Sequence, residues 1–103
     1  MIPMQMLTER FHTAMLDLAD KAAGIDSLAE IFKKRIQNDG GVETAKRLVR
    51  DRGPQPGLIQ LWEAERLDIS VEALMLNTKY QSLFSEEELA EARRRLESLG
   101  YDV

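Results

Sequence analysis

Cysteine is absent from this sequence of 103 residues, and histidine occurs only once. Without thiolates the chain cannot form a disulfide, a cysteine nucleophile, an iron–sulfur cluster or a thiolate zinc site. The one histidine, His12, has Asp17 five residues later, a spacing that does not stack two side chains on one helical face. We interpret His12 as an ordinary surface or boundary residue. We expect no metal ion, no cofactor and no catalytic residue, and therefore no enzymatic activity.

Long apolar runs are also absent. No segment approaches the roughly 18 apolar residues that cross a bilayer, and residues 1–10 lack the basic and apolar regions of a secretory signal. We therefore expect a cytoplasmic protein that does not bind membranes. Methionines at positions 1, 4 and 6 leave the start of translation open. We expect residues 1–7 to form a flexible tail and residues 8–101 to form a single helical domain.

Sustained alternation of apolar and polar residues, which is typical of half-buried strands, is missing as well. Apolar residues instead recur three and four positions apart between capping residues, which predicts an all-α compact bundle of five or six short helices. The strongest start signal is Ser85 with Glu88, a capping box in which each side chain accepts a hydrogen bond from the other residue's backbone amide. The other predicted starts are Thr8, Asp26 or Ser27, and Ser70. The apolar side of the second helix is predicted to consist of Leu28, Ile31, Phe32 and Ile36.

Glycine and proline are few, and they mark the predicted boundaries. Gly40 and Gly41 separate two helical patterns, but no strand precedes them and no Lys-Ser or Lys-Thr pair follows, so they do not match a phosphate loop. Residues 53–57 (GPQPG) predict the one linker, because proline cannot donate a backbone hydrogen bond. We expect Gly24 and Gly100 to end the first and last helices in the left-handed conformation.

The only tryptophan, Trp62, lies in the apolar-rich stretch of residues 58–76. Its spacing from the leucines before it places it on one helical face. We therefore predict that Trp62 is buried against Leu48, Leu74 and Leu96, and that its loss destabilises the fold strongly. The alternative is that the indole is a hot spot for a binding partner.

The net charge of −4 is unevenly distributed along the chain. Residues 33–58 contain seven bases and three acids, a net charge of +4, whereas residues 1–32 and 59–103 have net charges of −3 and −5. We predict that the middle segment forms one basic binding surface, because the Gly40-Gly41 turn folds the second and third helices together. Its residues are Lys33, Lys34, Arg35, Lys46, Arg47 and Arg50. The run Arg93-Arg94-Arg95 is interpreted as a solvated face, in which Glu91 pairs with Arg95.

Several segments of the chain, in their order and spacing, form a pattern that covers roughly residues 11–101. It resembles a family of small bacterial proteins and protein modules that has no established activity. The resemblance implies a bacterial or mobile-element origin and a compact helical module, and it carries over no catalytic residue. The segments are residues 40–48 (GGVETAKRL), 61–63 (LWE), 66–68 (RLD), 71–74 (VEAL), 83–84 (LF) and 86–89 (EEEL).

These features favour a non-enzymatic protein–protein interaction or regulatory module, since small helical domains commonly bind through a groove or a helix face. The alternative is a DNA-associated module that uses the basic surface of residues 33–52, with Gly40-Gly41 as the turn of a helix-turn-helix. The acidic flanks and the negative net charge weigh against that alternative. We expect the partner to be another protein, with nucleic acid as the second choice, and the oligomeric state stays open.

Overall fold

The computed structural model describes residues 3–103, which form six α-helices and two short 3-10 turns without any strand. The chain is 71% helical and compact, so the predicted all-α bundle of five or six helices is confirmed. The helices are α1 (Met4–Ala22), α2 (Ala29–Asp39), α3 (Gly41–Arg50), α4 (Pro56–Glu63), α5 (Val71–Met75) and α6 (Glu86–Ser98). The 3-10 turns are Leu67–Ile69 and Gln81–Leu83.

The first helix begins at Met4, so the predicted start at Thr8 is wrong. Pro3 occupies the position before the helix, and its carbonyl accepts the Leu7 amide at 3.1 Å to close the first turn. The Thr8 hydroxyl donates backwards to the Met4 carbonyl at 2.9 Å instead of capping a helix. Of the predicted tail, residues 1–2 lie outside the described part of the chain, and the helix already includes residues 4–7.

The connection from α1 to α2 also differs from the prediction. α1 ends through Ala23 in right-handed conformation, and Gly24 does not take the left-handed conformation that was expected of it. α2 begins at Ala29, where the residue before the helix provides no side-chain cap. Asp26, one of the two predicted caps, accepts the Leu28 amide at 2.8 Å and so stabilises the turn that leads into the helix.

The core is centred on α1. Phe11 and Met15 of this helix are fully buried together with Ile36, Met75 and Leu96, which come from α2, α5 and α6. The Phe11 ring packs edge-to-face against the rings of Tyr80 and Phe84, with centroid distances of 5.3 and 5.2 Å. Such aromatic pairs each add about 0.5–1.5 kcal/mol beyond the burial of their area.

Trp62 is not at this centre, and the prediction that it is buried is wrong, because its side chain is 46% exposed. α4 has only eight residues, and its inward positions are taken by Leu58 and Leu61. Its main packing partner is the 3-10 turn Leu67–Ile69, which offers little surface to cover a large ring in the last turn of the helix. Glu65 then turns the chain in the left-handed conformation, with φ of 59°.

The glycine pair brings α3 into close contact with α1. Gly40 has a positive φ of 91°, which favours glycine, and this one residue both ends α2 and starts α3. A Cβ atom added to Gly41 would lie 2.7 Å from the Cα atom of His12, so only glycine permits this approach. The Gly41 amide donates to Nδ1 of His12 at 2.9 Å. The only histidine therefore caps the N-terminus of α3.

The predicted caps of the last two helices are confirmed. The Ser70 hydroxyl accepts the Ala73 amide at the start of α5. The Ser85 hydroxyl accepts the Glu88 amide at 3.1 Å, and the Glu88 carboxylate accepts the Ser85 amide at 2.8 Å, which completes the capping box of α6. Gly100 takes the left-handed conformation after α6, as predicted, with φ of 81°.

Within residues 3–103, none of the helices has both the length and the apolar character that a membrane span requires.

Substitution of Ser85 by alanine is expected to destabilise the protein by about 1 kcal/mol, because the Glu88 amide loses its acceptor. The matched control is Ser82→Ala, which alters an exposed serine in the preceding 3-10 turn. Urea denaturation followed by circular dichroism gives the free energy of unfolding of each variant. Equal effects of the two substitutions would contradict a capping role for Ser85.

Candidate interaction groove

The structure divides the six residues of the predicted basic surface among different neighbours. Lys33 points towards α1, where its Nζ atom lies 2.7 Å from Oδ1 of Asp20. Arg47 lies 3.3 Å from both Asp39 and Glu43. Lys34 and Arg35 are exposed on α2. Lys33 and Arg47 are therefore partly neutralised by acids, whereas Lys34 and Arg35 take part in none of the ion pairs within residues 3–103.

Lys46 and Arg50, the remaining two cations of the predicted surface, converge on Glu88 of α6. Nη2 of Arg50 lies 2.8 Å from Oε2 of Glu88, in a geometry that is close but not aligned as a hydrogen bond, and Nζ of Lys46 lies 3.8 Å from Oε1. Burial of Glu88 disfavours its charged form, but the Ser85 amide and the two cations outweigh this effect. The pKa of Glu88 is therefore lowered, and these two bases join α3 to α6.

Arg95 was predicted to lie on a solvated face, but it is only 5% exposed. Its guanidinium uses all five N–H donors, the full number that an arginine side chain has. The five acceptors are the carboxylate oxygens Oε2 of Glu91 and Oε2 of Glu72, and the backbone carbonyls of Leu48, Val49 and Asp51. The predicted solvated face is confirmed for Arg93 and Arg94, which are exposed, and is wrong for Arg95, because three of its acceptors are carbonyls at the end of α3 that would otherwise lack partners. The pairing of Glu91 with Arg95 was predicted, and it is confirmed at 2.7 Å.

Glu72 lies behind this arginine and is itself buried. Its Oε2 atom accepts from Nη1 of Arg95 at 3.2 Å. Removal of the carboxylate from water raises the pKa of Glu72, although Arg95 acts in the opposite direction. No spacing rule pairs residues 72 and 95, so the sequence alone did not reveal this contact.

A groove of about 630 Å³ lies on the other side of Glu72, between α1, α2, α3 and α4. Small and apolar residues of α1, including Leu18 and Ala22, form one part of its wall. Leu48 of α3 and Leu58 of α4 face it from other sides. The volume is within the range of roughly 300–1,000 Å³ that is typical of ligand sites.

Helix α4, which forms one wall of the groove, is held in place by contacts with the α1–α2 connection. The side chain of Gln60 accepts the Ser27 amide at 2.7 Å and donates to the Ser27 hydroxyl at 3.0 Å. A Cβ atom on Gly57 would lie 2.6 Å from Oδ2 of Asp26, so α4 approaches this connection closely. Pro56 supplies a fixed φ angle in the first turn of α4. The groove is therefore bounded by fixed elements.

Exposed apolar side chains stand at the rim of the groove. Leu28, the residue before α2, and Ile31 of α2 are 41% and 53% exposed, although both were predicted to belong to the apolar side of the second helix. Only Ala29 and Ile36 of α2 are buried, because α3 and α1 cover a narrower stripe of the helix than the sequence pattern suggests. Ile59 of α4 is similarly exposed, at 41%, but does not line the groove.

Charged side chains also line the groove, and acids are in excess. Four carboxylates and two guanidinium groups contribute to its surface. The charged residues are Asp26, Asp39, Asp51, Glu72, Arg35 and Arg47. Within residues 3–103, no three His, Asp or Glu side chains converge in a way that could hold a metal ion. The groove can therefore accommodate the apolar side chains of a ligand, while the charged residues that line it can pair with charged groups of the same ligand.

No family model, curated protein or solved structure matches this chain, and the resemblance described above stays a prediction.

Arg95→Lys is expected to destabilise the protein by roughly 3 kcal/mol, because lysine leaves buried carbonyl or carboxylate acceptors without donors while keeping the charge. Arg94→Lys is the matched control, since Arg94 is exposed and its one ion pair among residues 3–103 is with Glu91. Its midpoint of urea denaturation should remain close to that of the wild type. A small effect of Arg95→Lys would mean that water replaces the lost donors.

Ionised Glu91 is expected to make the stability of the protein depend on pH in the acid range. The hydrogen bond from Arg94, followed by that from Arg95, lowers the pKa of Glu91 from 4.5 to about 2. The unfolded chain therefore binds more protons between these values, so ionised Glu91 contributes its full stabilisation above pH 4.5 and loses it as the pH falls towards 2.

Glu91→Gln is thus expected to flatten the dependence of the free energy of unfolding on pH between about 4.5 and 2. The slopes of the free energy of unfolding against pH are compared between wild type and variant, because the substitution also lowers stability at neutral pH. Glu72, whose pKa is raised, contributes a slope of the opposite sign in both proteins. Glu97→Gln, at an exposed position of α6, is the control. An unchanged slope in Glu91→Gln would contradict the lowered pKa.

Proposed function

We propose that this chain is a non-enzymatic protein–protein interaction or regulatory module, and that its binding surface is the groove between α1, α2, α3 and α4. The proposal includes a bacterial or mobile-element origin and a cytoplasmic location. The observation that carries it is the pair of exposed apolar side chains, Leu28 and Ile31, at the rim of a groove of about 630 Å³. Contiguous exposed apolar surface next to a concave site is typical of places where a partner binds.

The rigidity of the walls supports the same proposal. Gln60 joins α4 to the start of α2, and Gly40 fixes the turn between α2 and α3. A preformed groove loses little conformational entropy when a partner binds, which favours affinity.

DNA binding through residues 33–52 is the weaker candidate. Lys33, Lys46, Arg47 and Arg50 each lie within 4 Å of a carboxylate, and a phosphate would have to displace these acids. The net charge of −4 adds a long-range repulsion between the protein and DNA.

Ile31→Lys is expected to abolish partner binding, because it places a charge at the apolar rim. Wild-type protein and variants are immobilised and exposed to nuclease-treated lysate of the source cells. The matched control is Ile59→Lys, which makes the same substitution at an exposed isoleucine outside the groove. We expect a protein that wild type and Ile59→Lys retain and that Ile31→Lys retains at least about tenfold less, a difference of roughly 1.4 kcal/mol in binding.

The opposite result would favour the alternative. If nuclease treatment removes every captured partner, duplex DNA is titrated against salt. A nucleic-acid binder then loses about 0.9 units in the logarithm of its binding constant for each phosphate contact and each decade of salt.

A further inference from the structure

We propose that the groove binds an amphipathic segment of the partner protein in which Lys or Arg flanks the apolar side chains. This inference rests on the proposed function, and it adds the chemical class of the occupant. It is carried by the excess of carboxylates in the groove and by where those carboxylates stand relative to the apolar rim.

Two of the carboxylates, Asp26 and Asp51, lie at the connections that border the groove. Oδ1 of Asp26 accepts the Leu28 amide at 2.8 Å, and Oδ1 of Asp51 accepts the Gly53 amide at 2.9 Å. None of the ion pairs within residues 3–103 involves either residue. Each carboxylate therefore has a backbone hydrogen bond that fixes its position, and its negative charge is not balanced by a cation.

The positive charges of the groove do not cancel this excess. Arg47 is shared between Asp39 and Glu43, at 3.3 Å from each, so that this trio has a net charge of −1. Arg35 on α2 is the other lining cation. Glu72 is paired with Arg95, which does not line the groove, and the other three lining acids exceed the two lining bases by one negative charge. An acidic segment would be repelled, whereas a basic one would be attracted.

The apolar half of the recognition comes from α2 and from the residue before it. Leu28 precedes the first turn of α2, and Ile31 and Arg35 follow at intervals of three and four residues, so the three line the same side of the groove. A helix face with this spacing packs against a second helix whose apolar residues recur at i, i+3 and i+4. Asp26, between α1 and α2, and Asp51, between α3 and α4, would then pair with basic residues that flank the apolar face of this second helix.

The probe is an 18-residue amphipathic helical peptide of leucine and lysine, and its counterpart is the same peptide with glutamate in place of lysine. Fluorescence anisotropy of the labelled peptides gives the dissociation constants for the full chain. We expect the Leu–Lys peptide to bind wild type at least about tenfold more tightly than the Leu–Glu peptide.

Two double variants test whether binding depends on carboxylates inside the groove or on acidic residues elsewhere on the protein. Asp26→Asn/Asp51→Asn keeps both side-chain oxygens that accept backbone amides but removes both charges. Asp17→Asn/Glu97→Gln removes two charges at exposed positions outside the groove. We expect roughly tenfold weaker binding of the Leu–Lys peptide in the first variant and in Ile31→Lys, and less than about threefold change in the second variant and in Ile59→Lys. Circular dichroism verifies that each variant folds, and single Asp51→Asn replaces the groove double variant if it does not.

Equal binding of the two peptides, or equal weakening in both double variants, would overturn the inference, because general attraction to an acidic protein would then explain the result. Binding of neither peptide would also overturn it. The proposed function is tested separately: a lysate protein that Ile59→Lys retains and Ile31→Lys loses would preserve the interaction groove even when the preference for a basic segment is rejected.

Discussion

The guanidinium of Arg95 donates five hydrogen bonds inside the molecule, and the packing of α3 against α5 and α6 depends on them. Three of the acceptors are carbonyls at the end of α3, which would otherwise lack partners. Glu72 and Glu91 provide the opposite charge, so the buried cation is compensated. An arginine in this position is costly to remove, since each acceptor left behind loses its donor in a dry environment.

Both ends of α3 are therefore satisfied by side chains from other helices. His12 of α1 accepts the Gly41 amide at one end, and Arg95 of α6 donates to carbonyls at the other. Lys46 and Arg50 add ion pairs with Glu88 along the side of the same helix. The bases of α3 thus contribute to the fold, and the acids beside them offset part of the positive charge of this segment.

The fixed position of α3 in turn defines the groove. Arg47 and Leu48 of α3 face α2 and α4 across it, and the buried Glu72 lies in its wall. The short helix α4 completes the enclosure because the Gln60 side chain holds it beside the α1–α2 connection. The hydrogen bonds of Arg95 stabilise the fold, and they also hold α3 and Glu72 in the positions from which both line the groove.

The sequence by itself determined what depends on neighbouring residues: the helical class, the glycine turn at Gly40, and the capping box at Ser85, whose partners lie within three or four positions. It did not determine the exposure of Trp62 and Ile31 or the burial of Arg95. A periodic pattern shows which side of a helix is apolar, but not how much of that side other helices cover. Coverage depends on the lengths and crossing of helices that are distant in the sequence. Four of the five acceptors around Arg95 come from two such segments, the end of α3 and α5, and only the tertiary structure brings them within hydrogen-bonding distance.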